Sequence, residues 1–110
     1  MTNTPTYSPL ITIVITTFNH GRYIRQAIES VISQTCLNHE IIVVDDGSTD
    51  DTESIVAGFK QVKYIHQQNQ GLPAARNTGI NHSAGEFLVF LDADDWLLPQ
   101  ALAVNLKILQ

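Results

Sequence analysis

What this sequence has little of narrows its possible roles. Cysteine occurs once, at Cys36, so no internal disulfide can form and the chain suits a reducing compartment. Cys36 itself reads as a small residue near the end of a helix. No apolar run approaches the roughly 20 residues that a membrane helix needs. Residues 1–9 are polar, without an apolar core behind a basic start, and read as a flexible N-terminal segment rather than a targeting signal. Positive charge is scarce: 6 Lys and Arg stand against 11 Asp and Glu, for a formal net charge of −5. With no basic run, nucleic acid is not an expected partner. An acidic chain can still hold phosphates where a metal or a local arginine reverses the field.

Several familiar site motifs are missing too. No Gly-rich loop ends in Gly-Lys-Ser or Gly-Lys-Thr, which excludes a P-loop. No G-x-G-x-x-G follows the first apolar segment, and no G-x-S-x-G elbow occurs. His20, His39, His66 and His82 show no metal-ligand spacing and read as ordinary polar residues.

What is present is a regular alternation. Leu10–Phe18 is rich in β-branched residues and reads as a strand. From Arg22 to about Gln34, Ile24, Ala27, Ile28, Val31 and Ile32 share one helical face, opposite Arg25, Gln26, Glu29 and Ser33. Glu40–Asp45 is apolar on both faces, the mark of a buried parallel strand. A short helix is expected over 51–59, with Asp50 and Glu53 at capping-box spacing. A weaker strand follows at Gln61–His66. Pro73 suits the first turn of a third helix that runs to about Asn81, and Phe87–Leu91 is a fourth strand. Pro99 opens a fourth helix with Leu102, Leu106 and Leu109 on one side. Strands alternating with helices imply an α/β domain over 10–110, with a parallel sheet covered on both faces. A helix without a C-terminal stop hints at a longer protein.

In an open parallel sheet, ligands bind beyond the carboxyl ends of the strands, where strand order reverses. The four strands end in Thr16-Thr17-Phe18-Asn19, Asp45-Asp46-Gly47-Ser48, Gln67-Gln68-Asn69-Gln70-Gly71 and Asp92-Ala93-Asp94-Asp95. All four polar clusters therefore belong to one edge, and the order 3-2-1-4 would put strands one and four beside the crevice. Asp92 and Asp94, at i and i+2 of an extended segment, would face one site. Their repulsion would be relieved by Mg²⁺, which takes carboxylates together with substrate phosphates. The alternative is a solvated acidic turn leading into the next helix. Asp95 and Trp96 are expected to shape that turn.

The third helix starts at the same edge, so its N-terminal dipole favours an anion. Arg76 could pair with phosphate or tie down a neighbouring aspartate. Gly79 inside that helix suggests a close backbone approach. In the second cluster, Asp45 is the expected ligand contact, where related folds hold a ribose, while Gly47, Ser48 and Asp50 form the turn.

Together the segments ITIVITTFN, IIVVDDGSTDDT, NQGLPAARNTGI and FLVFLDADDWLLP resemble the family 2 glycosyltransferases of the GT-A fold, in that family's order and approximate spacing. The resemblance covers nearly the whole chain. It implies a Rossmann-like donor half of the GT-A fold that binds a nucleotide-diphospho-sugar, most simply a UDP-sugar. It implies that Thr16, Phe18, Asn19, Asp45 and Asp46 serve the nucleoside and that Arg76 approaches the nucleotide and diphosphate. Asp92 would sit near the ribose and metal, and Asp94 would contact Mn²⁺ or Mg²⁺ directly. Thr16 departs from the family's usual proline. The family's acceptor-binding half, with its catalytic base, would lie beyond residue 110, so the donor half of an inverting enzyme is expected. The acceptor, saccharide or lipid, and the oligomeric state are not readable. A cytoplasmic location, including the inner face of the membrane, is the expectation. Two other readings stay open at this point: a haloacid-dehalogenase-type phosphohydrolase with Asp92 as nucleophile, and a non-catalytic nucleotide-binding module.

Overall fold

The computed structural model describes residues 10–34 and 38–95. The expected N-terminal segment, Cys36, Trp96 and the fourth helix lie outside the described residues.

The first strand, β1, spans Ile11–Thr17, and every one of its residues is buried. It is central: β2 (His39–Asp45) pairs with it on one side and β4 (Phe87–Asp92) on the other, both parallel. The third strand, β3 (Val62–His66), pairs in parallel with β2 and completes the order β3-β2-β1-β4. This is the expected order. A central strand sealed on both faces is apolar at its middle, where Ile13, Val14 and Ile15 follow one another without a polar break, and the buried Thr12 hydroxyl is satisfied by Glu40 Oε1 at 2.6 Å. The outer strand β4 alternates instead, with Leu88 and Phe90 left partly exposed.

Helix α1 (Gly21–Ile32) buries Ile24, Ala27, Ile28 and Val31, the i, i+3, i+4, i+7 stripe expected of it. With α2 (Thr52–Val56) it covers the face carrying Ile11, Ile13, Ile15, Ile41 and Val43. Helix α3 (Leu72–His82) covers the other face, where Val14, Ile42 and Val44 meet Ala75. The chain steps from β1 to β2 to β3 in one direction and then crosses back to β4. Right-handed crossovers in opposite directions place their helices on opposite faces, so α3 is parted from α1 and α2.

Two details refine the expected elements. Helix α2 is 5 residues long, because Gly58 and Phe59 continue as tight turns onto Ile55 and Val56 carbonyls rather than as helix. Its start is also built differently. Asp51 is the N-cap, while Asp50 Oδ1 accepts the Thr52 N–H at 3.1 Å and the Thr52 hydroxyl at 2.5 Å. The other oxygen, Oδ2, accepts the Gly21 N–H at 2.9 Å. One carboxylate thus holds the first residues of two helices, where anions are favoured. Gly79 is buried against β1, and a Cβ there would overlap the Val14 side chain. The close approach inferred from its place in the helix is present. Among the described residues no helix is long and apolar enough to cross a membrane.

Candidate functional site

The reversal of strand order falls between β1 and β4, and a cavity of about 250 Å³ opens there at the carboxyl ends. From β1 and the turn after it come Thr16, Thr17, Phe18 and His20; from β2 comes Asp46. Leu72 and Ala75 of α3 form an apolar wall, and Asp92 and Asp94 close the β4 side. No lysine or arginine is among these residues.

Thr16 and Asp92 are register partners, and the Thr16 hydroxyl donates to Asp92 Oδ1 at 3.3 Å. The strand stops at Asp92 and turns: Ala93 N–H returns to Thr16 O at 3.0 Å, and Asp95 N–H to Asp92 O at 2.9 Å. The two acids therefore do not converge by the i, i+2 alternation of a strand. A turn gathers them, and it brings Asp95 as well. Asp92, Asp94 and Asp95 each offer a carboxylate oxygen within 4.8 Å of the others, and all three are exposed. Hard oxygen donors at that separation fit Mg²⁺ or Mn²⁺.

Asp45 and Asp46 have separate surroundings. Asp45 is 0% exposed; its Oδ1 accepts the Ser48 N–H at 2.8 Å and its Oδ2 the Tyr64 hydroxyl at 2.6 Å. Burial, and then this bond to Asp45, push the Tyr64 hydroxyl above its ordinary value. Asp45 is not among the residues lining the cavity, and Asp46 is. Strand parity carried the signal: Asp45 follows Ile41 and Val43 on the α1–α2 face.

Asp46 also settles what the α3 terminus faces. Its Oδ1 accepts from Gln70 N–H at 2.9 Å and Gln67 Nε2 at 3.0 Å, and its Oδ2 from Gly71 N–H at 2.9 Å. Gly71 reaches this position with φ at +97°, a conformation open to glycine. Burial pushes the Asp46 carboxyl up, but these hydrogen bonds outweigh it and hold it below the ordinary carboxylate range. The anion at the start of α3 is a residue of the chain itself.

Asn19 and Arg76 are not among the cavity-lining residues. Asn19, with φ at +54°, accepts Thr49 N–H at 2.8 Å on its side-chain oxygen and donates its own N–H to Ser48 Oγ at 2.8 Å. It staples the end of β1 to the loop after β2. The Arg76 guanidinium lies 5.7 Å from the Phe90 ring centroid.

Sequence reasoning passed over Thr17 and His20. Both residues line the cavity, and Thr17 Oγ1 and His20 Nδ1 are buried with no hydrogen-bond partner among the described residues. The signal for His20 was position rather than spacing. It follows the end of β1 directly and precedes α1, at the crevice edge.

The parallel 3-2-1-4 sheet, with its acidic crevice at the strand reversal, is that of an α/β domain of the GT-A fold. Known proteins agree. The profile described as "Glycosyl transferase family 2" matches residues 12–110. The chain is 44% identical over 91 residues to the glycosyltransferase GlyA of Streptococcus pneumoniae, covering 79% of this chain and 13% of GlyA. It is 41% identical over 105 residues to the uncharacterized glycosyltransferase RT0329 of Rickettsia typhi, covering 94% and 33%. Among solved structures, the mannosyltransferase PcManGT of Pyrobaculum calidifontis, in complex with GDP-Man and Mn²⁺, aligns with a TM-score of 0.82 at 28% identity, covering 91% of this chain and 32% of that one. TarS 1–349 of S. aureus in complex with UDP aligns with a TM-score of 0.80 at 28% identity, covering 89% and 31%. The chain belongs to glycosyltransferase family 2. It spans a third or less of the length of these relatives.

Proposed function

We propose that this chain binds the nucleotide-diphospho-sugar donor and the metal of an inverting glycosyltransferase. The observation that carries this is the cavity wall shared by Thr16, Phe18, Asp46, Asp92 and Asp94, with Asp95 completing a three-carboxylate cluster at its rim. Phe18 is 45% exposed and offers a ring face to a base. Thr16 and Asp46 meet the nucleoside in this reading, while Asp45 and Asn19, through their bonds to Ser48 and Thr49, hold the turn behind them. In this reading Asp92 serves ribose and metal, Asp94 serves the metal, and Arg76 reaches toward the diphosphate from α3.

Mn²⁺ or Mg²⁺, when bound, supplies charge stabilisation for the departing diphosphate. The carboxylates hold that cation and orient the donor beside it. The acceptor, and the general base that would deprotonate its hydroxyl, are assigned to the portion of family members that this chain does not span. TarS in complex with UDP and UDP-GlcNAc and PcManGT in complex with GDP-Man and Mn²⁺ support a nucleotide-sugar donor. A UDP-sugar is the first donor to test and a GDP-sugar the second. Family membership favours this over phosphoryl transfer through Asp92.

Calorimetric titration tests it. UDP, GDP and their sugars are titrated with Mn²⁺ and again with a chelator. Metal-dependent binding of a nucleotide is expected. A folded sample that binds none of them, with or without Mn²⁺, overturns the reading.

A further inference from the structure

Gln67 follows β3 directly and joins two elements through the two ends of its amide. Its Nε2 donates to Asp46 Oδ1 at 3.0 Å, and its Oε1 accepts from the Thr78 hydroxyl of α3 at 2.5 Å. An ionised carboxylate only accepts, so the amide nitrogen is the atom that must face Asp46. The amide oxygen is then left for Thr78, which brings the donor it requires. That hydroxyl also lies 3.0 Å from the Ala74 carbonyl, the longer of its two contacts. The Gln67 backbone is anchored as well, its N–H on Asp45 O at 2.9 Å. Burial raises the Asp46 carboxyl, and the Gln67 amide is foremost among the groups that bring it below its ordinary range.

The consequence falls on Asp46, which lines the cavity, while Gln67 and Thr78 are not among the lining residues. Each carboxylate oxygen accepts about two hydrogen bonds. Oδ1 already has two, from Gln67 Nε2 and Gln70 N–H, and Oδ2 has one, from Gly71 N–H. The remaining acceptor position is therefore on Oδ2. The Gln70 and Gly71 bonds come from one peptide segment at the start of α3. Gln67 approaches from the end of β3, and this third point fixes the plane of the carboxylate.

We propose that Gln67, itself held by Thr78, is a positioning residue that fixes the Asp46 carboxylate so that Oδ2 meets a hydrogen-bond donor of the bound nucleotide. This rests on the donor-binding reading above and adds to it two residues that touch no ligand. An acceptor already locked by its neighbours loses little freedom on binding, whereas a loose one must be ordered at the expense of affinity.

The test uses the full chain with Mn²⁺ and three probes: UDP, GDP and inorganic pyrophosphate. Gln67→Met keeps the side-chain length and removes both polar ends. It should weaken the preferred nucleotide about 3- to 10-fold, the scale of one lost hydrogen bond, and leave pyrophosphate unchanged. Thr78→Val should weaken the nucleotide less, about 2- to 4-fold, and Thr78→Ser should recover it. In an Asp46→Ala background Gln67→Met should cost no further affinity, because the group it positions is gone. Should Asp46→Ala not fold, Asp46→Asn takes its place, and the Gln67→Met loss should shrink there. Unchanged nucleotide affinity in folded Gln67→Met overturns this proposal alone and leaves Gln67 a plain tie between β3 and α3. So does an equal loss for pyrophosphate, or a Gln67→Met loss of full size without the Asp46 carboxylate. Should Gln67→Met not fold, the Thr78 pair decides, and equal affinity in Thr78→Val and Thr78→Ser overturns the proposal. A wild type that binds no nucleotide removes the donor reading and this proposal with it.

Discussion

Thr16 and Asp92 stand opposite each other across β1 and β4, joined by a 3.3 Å hydrogen bond from the threonine hydroxyl to Oδ1. The bond crosses the strand reversal and orients the first carboxylate of the acidic turn. Thr16→Val keeps the shape and removes the donor. Metal-dependent nucleotide binding should weaken about 3- to 10-fold with thermal stability within about 1 kcal/mol of the wild type. Titration with Mn²⁺ and UDP alongside thermal melting checks this; unchanged affinity would make the contact incidental.

Asp94 is exposed and shares its turn with two other carboxylates. Removing it relieves like-charge repulsion in the free protein. Asp94→Ala should therefore fold normally, melt no lower than the wild type and lose at least about 10-fold in Mn²⁺-dependent UDP binding. If the variant instead fails to fold, the acidic turn is architectural.

Asp46 receives two backbone N–H groups at the start of α3 and a glutamine amide. Asp46→Ala leaves those donors without an acceptor, at a cost of about 2–4 kcal/mol. Its pH dependence follows from the lowered carboxyl, which Glu40 and Asp50 share. A carboxylate held below its unfolded value stabilises the fold above that value. The contribution is lost as pH falls through the lower folded value, because the unfolded chain then binds more protons. Urea unfolding from pH 7 to 2 should show stability declining from about pH 5 downward. The decline should be shallower in Asp46→Asn. Parallel pH profiles for the two proteins would refute the assignment.

Gly79 lies so close to Val14 that a Cβ would overlap its side chain. Gly79→Ala should destabilise by about 1–3 kcal/mol despite alanine's better helix propensity. Val14→Ala makes room, so the double variant should lose less than the two single losses added together. Denaturant midpoints for the four proteins form the cycle, and strict additivity would place the strain elsewhere.

Composition and periodicity carried most of the architecture. An unbroken β-branched run at Ile11–Ile15 has only one stable home, a strand covered on both faces, and the alternation with helices then leaves a parallel sheet. The acid-rich strand ends were legible for the same reason, since parallel strands bring their carboxyl ends to one edge. Helix α2 was read too long, because its apolar residues, Ile55, Val56 and Phe59, pack on the core whether or not the backbone between them stays helical.

By itself the sequence determined the elements, their order and the acidic edge, because these rest on local preference and on the period of apolar residues. The roles of adjacent residues needed the folded chain. Asp45 and Asp46 are neighbours of one chemical type, yet strand parity turns the first toward Tyr64 and the second toward the start of α3 and the cavity. Asp95 joins Asp92 and Asp94 because the chain turns after β4. Thr17 and His20 stand out only when every buried polar atom around them is matched with a partner. Hydrogen bonds between distant segments decide such assignments, and their geometry exists only after the segments have packed.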